Sequence, residues 1–289
     1  LATGRARAVA VIPPGFGRRL RQGDAAPVQI LVDGANANSA SVAIGYLETR
    51  ARTATLDLGR EVAARLGRPA FAPPVAVEPR IWYNPTLDSS EFLVPGLIGF
   101  LLVVVGAVST SLSVVKELER GTVEQIVVSA TRPAEFILGK TLPYLVVLLI
   151  TEAFIIAAAM VLFGMPLRGS LGWLLATSVV YLLGALGWGL FVSTVARTQQ
   201  VAFQIATLST LLPSLLLSDL VFPIASMPRA LQWLTNVVPA RHFIAILRSL
   251  ILKGTGPPAW GLHLAVLAAF ATLILAVAAG RLARDLERA

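Results

Sequence analysis

The segment Ala134–Thr141, AEFILGKT, has the residue spacing of a loop that binds nucleotide phosphates. Four residues separate its first position from a Gly-Lys-Thr triplet, although Ala134 stands where the stricter pattern has glycine. A phosphate-binding loop needs a buried strand before it, glycines that expose backbone N–H groups, and a helix after it. Here Glu, Phe, Ile and Leu fill the loop, and an apolar run containing Pro143 follows. The context therefore argues against nucleotide binding at this segment.

Two acidic residues, Glu152 and Asp219, interrupt apolar runs, and the first of them is a candidate contact for a substrate. Glu152 lies near the middle of one run, where a charged group costs about 2.5–3.5 kcal/mol on insertion scales. We expect it to face a partner helix or a wet cavity, and both substrate contact and a neutral packing role remain open. Asp219, with Phe222 and Pro223 shortly after it, interrupts a second run.

The sequence has few residues that could act in catalysis or bind a metal. The two histidines, His242 and His263, are too isolated along the chain to suggest metal ligands or a catalytic triad. The chain has no cysteine, which excludes thiol catalysis, disulfides and the usual structural zinc sites. We therefore predict a non-catalytic chain that holds no metal or cofactor of its own.

The composition indicates a membrane protein. Of the 289 residues, 56% are apolar and 14% are charged, and the mean hydropathy is +0.75. An average soluble domain has roughly 45–50% apolar and about 25% charged residues. The net charge of +8 is spread along the chain rather than clustered with aromatics, so nucleic acid is not an expected partner. Anionic membrane lipid and membrane orientation explain the charge better.

Five apolar segments are long enough to cross a hydrocarbon core roughly 30 Å thick, and we predict all five as helices because lipid cannot satisfy free backbone groups. Their bounds are Phe92 to Val115, Thr141 to Phe163, Leu171 to Val195, Val201 to about Ser218, and Trp260 to Gly280. The third segment carries small residues that allow close helix packing. They are Gly172, Gly184, Gly187 and Gly189.

Residues 1–90 have the pattern of a small α+β domain. Short β-branched runs predict strands at Val9 to Ile12, Val28 to Val32 and Val75 to Trp82. From about Asn38 to Leu66, apolar residues recur at spacings of three and four, which predicts an amphipathic helix. A ligand-binding role for this domain is the alternative to a purely structural one.

The distribution of Lys and Arg favours an outer position for residues 1–90 and an inner C-terminus. With that orientation, eight basic residues fall in inner segments: Lys116, Arg120, Arg132, Lys140, Arg197, Arg281, Arg284 and Arg288. The outer connections hold five: Arg168, Arg229, Arg241, Arg248 and Lys253. The chain begins with Leu1 almost directly before a strand, so we expect a preceding segment that includes another span.

The polar stretch between the first two spans, residues 116–140, is predicted to be a cytoplasmic elbow at the membrane surface. Gly121 breaks the first helix, and Thr122 can cap a short second helix. Pro133 and Glu135 then open another helix. A rigid, charged, half-buried helix is suited to receive a push from a partner, and a plain solvated loop is the alternative.

A second irregular segment, 218–228, contains FPIASMP and interrupts the apolar run after Leu217. Non-helical backbone at membrane depth survives only where it is buried in protein or faces water. We therefore predict a re-entrant turn on the outer side, followed by an amphipathic helix from about Ala240 to Leu252. A plain extracellular loop is the alternative.

The elbow sequence ERGTVEQIVVSATRPAEFILGKTLPY resembles the signature of type-2 ABC exporter permeases, particularly the bacterial multidrug-efflux branch. Matching residues within it are Glu119, Gly121, Thr122, Glu124, Gln125, Pro133, Glu135, Gly139, Lys140, Pro143 and Tyr144. Further stretches resemble the same family in the same order along essentially the whole chain: VIPPGFGRRL, VDGANANSA, WYNPTLDSSEFLVPGLI, FPIASMP and VVPARHF. Ala130 departs from the pattern, because the family commonly has proline there.

The resemblance implies an α-helical integral membrane permease with six spans, of which five are visible, and a small extracytoplasmic α+β domain. It implies that the elbow docks on a separate ATPase subunit that binds ATP and Mg. The residues implied in this coupling are Glu117, Glu119, Arg120, Gly121, Thr122, Glu124 and Gln125. Those implied in the second interfacial helix are Pro133, Glu135, Gly139, Lys140 and Pro143.

The same resemblance implies a second permease subunit, identical or different, a place in the bacterial inner membrane, and an outer gate near 218–228. A periplasmic adaptor is a further expected partner. The function implied is ATP-driven export of drugs or other amphiphilic compounds from the cytoplasm or the inner leaflet. The alternative is a membrane-anchored sensor with an extracytoplasmic ligand domain, which the residues alone exclude poorly.

Overall fold

The computed structural model describes residues 6, 8–22, 27–34, 40, 43–51, 53, 54, 56, 77–82, 89–121 and 133–286. The chain divides into two compact units, residues 1–92 and residues 93–289. Each unit is built differently, since the first contains a small sheet and the second is formed by long apolar helices.

The first unit contains a three-stranded sheet whose strands lie in the order β1-β2-β3. β1 (Ala8–Val11) runs antiparallel to β2 (Val28–Asp33), and β2 runs parallel to β3 (Val77–Trp82). Pro79 lies in β3, an edge strand, where its missing N–H is tolerated. All three predicted strands are thus confirmed, and the parallel pair requires a long crossover between β2 and β3.

Two helices accompany the described strands. Helix α1 (Phe16–Gln22) was not predicted, because seven residues are too few to show a helical apolar period. The described residues between 40 and 56 form helix α2. Its partly buried Ala43 and Leu47 pack with Ile30 and Val32 of β2, so the start of the predicted apolar stripe is confirmed. The remainder of the predicted helix, residues 57–66, lies outside the described residues.

The second unit is made of helices that are long and apolar. Within the described residues, four helices have the length and composition to cross a membrane. They are α3 (Ser89–Arg120), α4 (Pro133–Phe163), α5 (Leu171–Ser193) and α9 (Pro257–Leu286), with the spanning parts of α4 and α9 at Glu135–Phe163 and Pro257–Arg281. The fifth predicted span is also a helix, α6 (Gln199–Leu216). It has 18 residues with three glutamines near its start and is not among the four.

Helix α4 differs from its prediction because it is one continuous helix. The sequence indicated a short helix opened by Pro133 and a separate span from Thr141, but the backbone stays helical through Pro143. Proline removes one backbone hydrogen bond, and membrane helices tolerate that loss. Pro133 begins the helix, where proline needs no N–H partner.

The chain between α6 and α9 is irregular and then helical again. A 3₁₀ turn (Ile224–Ser226) leads to the short helix α7 (Arg229–Thr235), which was not predicted. Helix α8 (Pro239–Arg248) continues into a π-helical turn (Ser249–Lys253), which Gly254 ends in the left-handed region at φ +64°. The predicted helix from about Ala240 to Leu252 is therefore present, although most of its side chains are buried rather than on one face.

Close packing around α5 explains most of its glycines. A Cβ on Gly189 would lie 2.9 Å from the Ala107 Cα in α3, and one on Gly187 would lie 2.9 Å from Ile274 in α9. Gly184 faces Phe270 in the same way, at 3.2 Å. Only Ser170 lies near Gly172, at 3.7 Å, so this fourth predicted packing glycine contacts no neighbouring helix.

We expect Gly189→Ala to destabilise the membrane unit by about 1–3 kcal/mol, the usual cost of overpacking, because backbone atoms of Ala107 cannot move as a side chain would. Thermal unfolding of the detergent-solubilised chain measures the effect, and Gly172→Ala is the control in the same helix. Equal melting temperatures for the two variants would contradict the close approach of α3 and α5.

Candidate functional site

The C-terminal end of α3 carries the first predicted coupling residues. The helix ends at Arg120, and Gly121 adopts the left-handed region at φ +69°, where its N–H donates to the Leu118 carbonyl oxygen at 3.3 Å. The predicted helix break at Gly121 is confirmed. Thr122, Glu124 and Gln125 lie outside the described residues.

Glu117 and Glu119 both contact other parts of their own chain. Glu117 pairs with Lys140 near the start of α4. Glu119 accepts hydrogen bonds from the backbone N–H of Gln199, at 2.7 Å, and from the Gln199 side-chain amide. Arg120 is exposed. The first turn of α6 and the start of α4 are thus both joined to the end of α3, an arrangement that the sequence did not predict.

The segment 134–141, which has the residue spacing of a phosphate-binding loop, lies wholly inside helix α4. Its geometry is a continuous helix, so the strand, loop and helix of a phosphate-binding loop are not formed by these residues. Glu135, Gly139 and Pro143 lie on exposed positions of the same helix. Phe136 and Ile137 are buried against Val114 and Leu190 of neighbouring helices.

Glu152 is buried between two helices, with 3% of its surface exposed. Its carboxylate accepts a hydrogen bond from the Ser178 hydroxyl of α5 at 2.6 Å. The prediction that this side chain faces a partner helix is confirmed.

Asp219 holds the irregular segment that follows α6. Its backbone is in the left-handed region at φ +67°, which is uncommon for a residue with a side chain. One carboxylate oxygen accepts the N–H of Ile224 at 3.0 Å, which orders the turn leading into Pro223 and the 3₁₀ segment. The other oxygen accepts a hydrogen bond from Arg248 at 2.9 Å, and the Asp219 carbonyl accepts a second at 3.0 Å.

Arg248 is the ion-pair partner of Asp219, and the sequence did not predict this pairing. It was counted among outer loop charges, but only 7% of its surface is exposed and it is paired with Asp219 across 29 residues. Burial lowers the pKa of Arg248 to about 10, while the charge of Asp219 and its hydrogen bond oppose that shift. The guanidinium therefore stays charged at neutral pH. The available signal was Asp219 itself, because an acid that interrupts an apolar run needs a partner.

The expectation that the two histidines are isolated from each other is wrong. Although 21 residues separate them, the Nδ1 atoms of His242 and His263 lie 2.9 Å apart. The Nε2 of His242 lies 2.8 Å from the Asn236 carbonyl oxygen and donates to it. His242 Nδ1 then accepts from His263, so the pair is joined by a shared hydrogen bond rather than isolated.

A cavity of about 260 Å³ lies among the helices of the membrane unit. Helix α6 lines it with its C-terminal half, and Trp188 and Phe270 supply aromatic walls. Two hydroxyls in its wall bond within the protein, since Trp188 Nε1 donates to Ser209 at 2.9 Å and Thr210 donates to the Ala206 carbonyl oxygen at 2.6 Å. Among the described residues that line it, none is charged.

A wider groove of about 520 Å³ adjoins the end of α6 and shares Pro213 and Leu217 with the cavity. Phe222 and Pro223 line this groove, and 53% of the Phe222 surface is exposed. The predicted gate residues therefore fall into two groups. Asp219, Phe222 and Pro223 lie together near the groove, whereas Glu152 bonds to Ser178 elsewhere in the unit.

The long apolar helices, an irregular segment held by an ion pair to a buried arginine, and an uncharged cavity define a multi-pass membrane protein with the features of a transporter subunit. The family model described as "ABC-2 family transporter protein" matches residues 1–279, and the chain belongs to this family. The resemblance stated from the sequence is thus confirmed.

Several curated relatives carry permease names. The "Probable multidrug ABC transporter permease YbhS" of Escherichia coli (strain K12) is 34% identical over 258 residues, which cover 89% of this chain and 67% of that protein. The similarly named YbhR of the same strain is 36% identical over 241 residues, covering 83% and 63%. The "Inner membrane transport permease YhhJ" is 27% identical over 250 residues, covering 85% and 64%. The chain spans roughly two thirds of the length of these relatives. No solved structure matches it.

The chain is therefore a permease subunit of an ABC transporter in a bacterial inner membrane, and its family implies an ABC ATPase partner. Permease subunits of this kind are typically non-catalytic.

We expect Ser178→Ala to lower the free energy of unfolding by about 1–3 kcal/mol, because it leaves the buried carboxyl of Glu152 without its hydroxyl donor. Thr177→Val is the control, since the Thr177 hydroxyl donates only to carbonyls of its own helix. Glu152→Gln keeps an acceptor and should leave both stability and export unchanged. If Glu152→Gln lost export with normal stability, Glu152 would belong to the substrate pathway instead.

The Asp219–Arg248 ion pair predicts how single and double substitutions change the stability of the membrane unit. Asp219→Asn should cost about 3–5 kcal/mol of stability, because it removes the carboxylate that pairs with the buried Arg248 charge. Arg248→Gln should cost less, because the Asp219 side chain is partly exposed. The double variant should lose less than the sum of the singles, as measured by thermal unfolding in detergent. Arg229→Gln, at an exposed arginine, is the control. Additive losses would show that the two side chains do not interact.

Proposed function

We propose that this permease subunit exports drugs or other amphiphilic compounds from the cytoplasm or the inner leaflet, driven by ATP hydrolysis in a separate subunit. The observation that carries the proposal is the uncharged cavity beside α6, whose lining is apolar except for three hydroxyls. Those hydroxyls belong to Ser209, Thr210 and Ser214. An apolar wall with a few polar groups favours the non-polar part of an amphiphile, since desolvation of that part is favourable.

The names of the relatives support this substrate class. Two of those reported above are called probable multidrug permeases, and the sequence similarity extends over 83% or more of this chain.

The elbow at residues 116–140 is the proposed docking point for the ATPase subunit. Its described ends are the terminus of α3, closed by the left-handed Gly121, and the start of α4. Closure of the ATPase subunit on ATP and Mg would push on the intervening residues, including Thr122, Glu124 and Gln125. This push can select between two states of the permease only if its contacts differ between those states.

The same proposal includes an outer domain, a second permease subunit and an adaptor. Residues 1–90 form an extracytoplasmic domain, and a second permease subunit, identical or different, completes the membrane part. A periplasmic adaptor can join the outer domain. The irregular segment 218–228 is the re-entrant outer element, which the Asp219–Arg248 pair holds at its start.

Purification of the full chain from its native membrane tests the function directly, because the proposal requires that an ABC ATPase subunit comes with it. Gly121→Ala should lower the ATP turnover of that complex several-fold, since a Cβ is strained at φ +69° and would change the direction of the elbow. Glu124→Ala should have the same effect.

Gly164→Ala is the matched control for the turnover measurement. It also replaces a left-handed glycine, at φ +61°, but it lies at the opposite end of α4 from the elbow. Purification without an ATPase subunit, or equal turnover in the Gly121 and Gly164 variants, would contradict the proposed function.

A further inference from the structure

Glu119 binds the first residue of α6 through two hydrogen bonds. One carboxylate oxygen accepts the Gln199 backbone N–H at 2.7 Å, and the other accepts the side-chain amide of the same residue. An amide N–H at a helix start has no partner within its helix, so this carboxylate satisfies a group that would otherwise need water. A negative charge is also favourable at that end of the helix dipole.

A second, apolar contact joins the same two helix ends. Val115 of α3, Ala196 of the connecting turn and Ala202 of α6 form a buried cluster, and Leu112 packs against it. The turn between α5 and α6 contains only five residues, 194–198. The end of α3 is therefore attached to the start of α6 by a polar contact and by an apolar one.

The neighbouring acid, Glu117, contacts a different helix from the one that Glu119 contacts. It pairs with Lys140 of α4. Residues two apart on an α-helix are separated by about 200° around its axis, so Glu117 and Glu119 project to nearly opposite sides. Of these two acids, Glu119 is the one that contacts α6.

Helix α6 leads from this contact to the cavity. From Gln199 to Leu212 it rises about 20 Å without a proline, and its next turns contribute Pro213, Ser214 and Leu217 to the cavity wall. A stiff helix held at one end by Glu119 can convert a displacement of the elbow into a change of the cavity at the other end.

We propose that Glu119 is a positioning residue that transmits movement of the elbow to α6 through Gln199, and that it is not itself a contact for the ATPase subunit. This inference rests on the proposed function, because the movement it transmits is driven by that subunit.

The absence of native cysteine allows a direct measurement of movement at the cavity. A single cysteine introduced by Leu217→Cys lies where the cavity and the groove meet. The complex with its ATPase subunit is reconstituted in liposomes, and the rate at which a water-soluble maleimide labels this cysteine is measured without nucleotide and after trapping with ATP and vanadate. We expect the labelling rate to change several-fold on trapping.

Adding Glu119→Ala to the cysteine variant should abolish most of that change, because it removes both hydrogen bonds to Gln199. Gln199→Ala removes only the side-chain hydrogen bond and should reduce the change less. In both variants the ATPase subunit should still co-purify, and the melting temperature should stay close to that of the parent. Gln200→Ala is the matched control, since Gln200 is exposed in the same helical turn, and it should keep the full change. The double variant Glu119→Ala/Gln199→Ala should be no worse than Glu119→Ala alone, because Glu119→Ala already removes both hydrogen bonds to Gln199.

Three results would overturn the inference. They are an unchanged labelling rate in the parent on trapping, a full response in the Glu119→Ala variant, and loss of the ATPase subunit with Glu119→Ala but not with Gln199→Ala, which would make Glu119 a direct contact. A failure of the proposed function itself would already appear in the unmodified chain, which would then retain no ATPase subunit.

Discussion

The structure of the membrane unit depends on one constraint, which is that hydrocarbon offers no hydrogen bonds to the protein. Every backbone group at membrane depth must therefore find its partner inside the chain, and long helices are the simplest arrangement that achieves this. The buried hydroxyls obey the same constraint, as Thr177 and Ser193 donate to carbonyls of their own helix. The irregular turn after α6 obeys it through Asp219, whose carboxylate accepts a backbone N–H.

Helix packing within this constraint relies on small side chains and on a few polar contacts. Gly189 lets α5 approach the backbone of α3, and the Tyr181 hydroxyl donates to the Gly99 carbonyl oxygen at 2.6 Å. The Tyr181 ring also stacks on Phe243 of α8 at 4.0 Å between centroids. In lipid, close packing and hydrogen bonds replace much of the role that hydrophobic burial has in water, because the lipid tails are as apolar as the protein surface.

The sequence predicted the long elements well and the contacts between them poorly. Apolar runs of about 20 residues have few alternatives to a helix, so all five predicted spans are helical, although α6 is less apolar than the others. The short helices α1 and α7 were missed because seven residues carry too little periodic signal. The break at Gly121 was predicted because glycine is the residue that suits a left-handed helix end.

Partners distant along the chain could not be predicted. Arg248 was counted as an outer loop charge although it pairs with Asp219, and Gln199 lies 80 residues from Glu119. His242 and His263 were judged isolated because their separation along the chain hides a 2.9 Å contact. Such pairs depend on the rotation and crossing of whole helices, which the pattern of one sequence does not specify.

The stacking of Tyr181 on Phe243 has a consequence for how the helices of the membrane unit can move. This ring pair links α5 to α8, and the hydrogen bond from the same tyrosine to the Gly99 carbonyl links α5 to α3. The exposed Trp233 on α7, by contrast, has 78% of its surface free of protein contact. A conformational change that moves α5 would therefore carry α3 and α8 with it, whereas the Trp233 side of α7 makes few contacts that such a change would break.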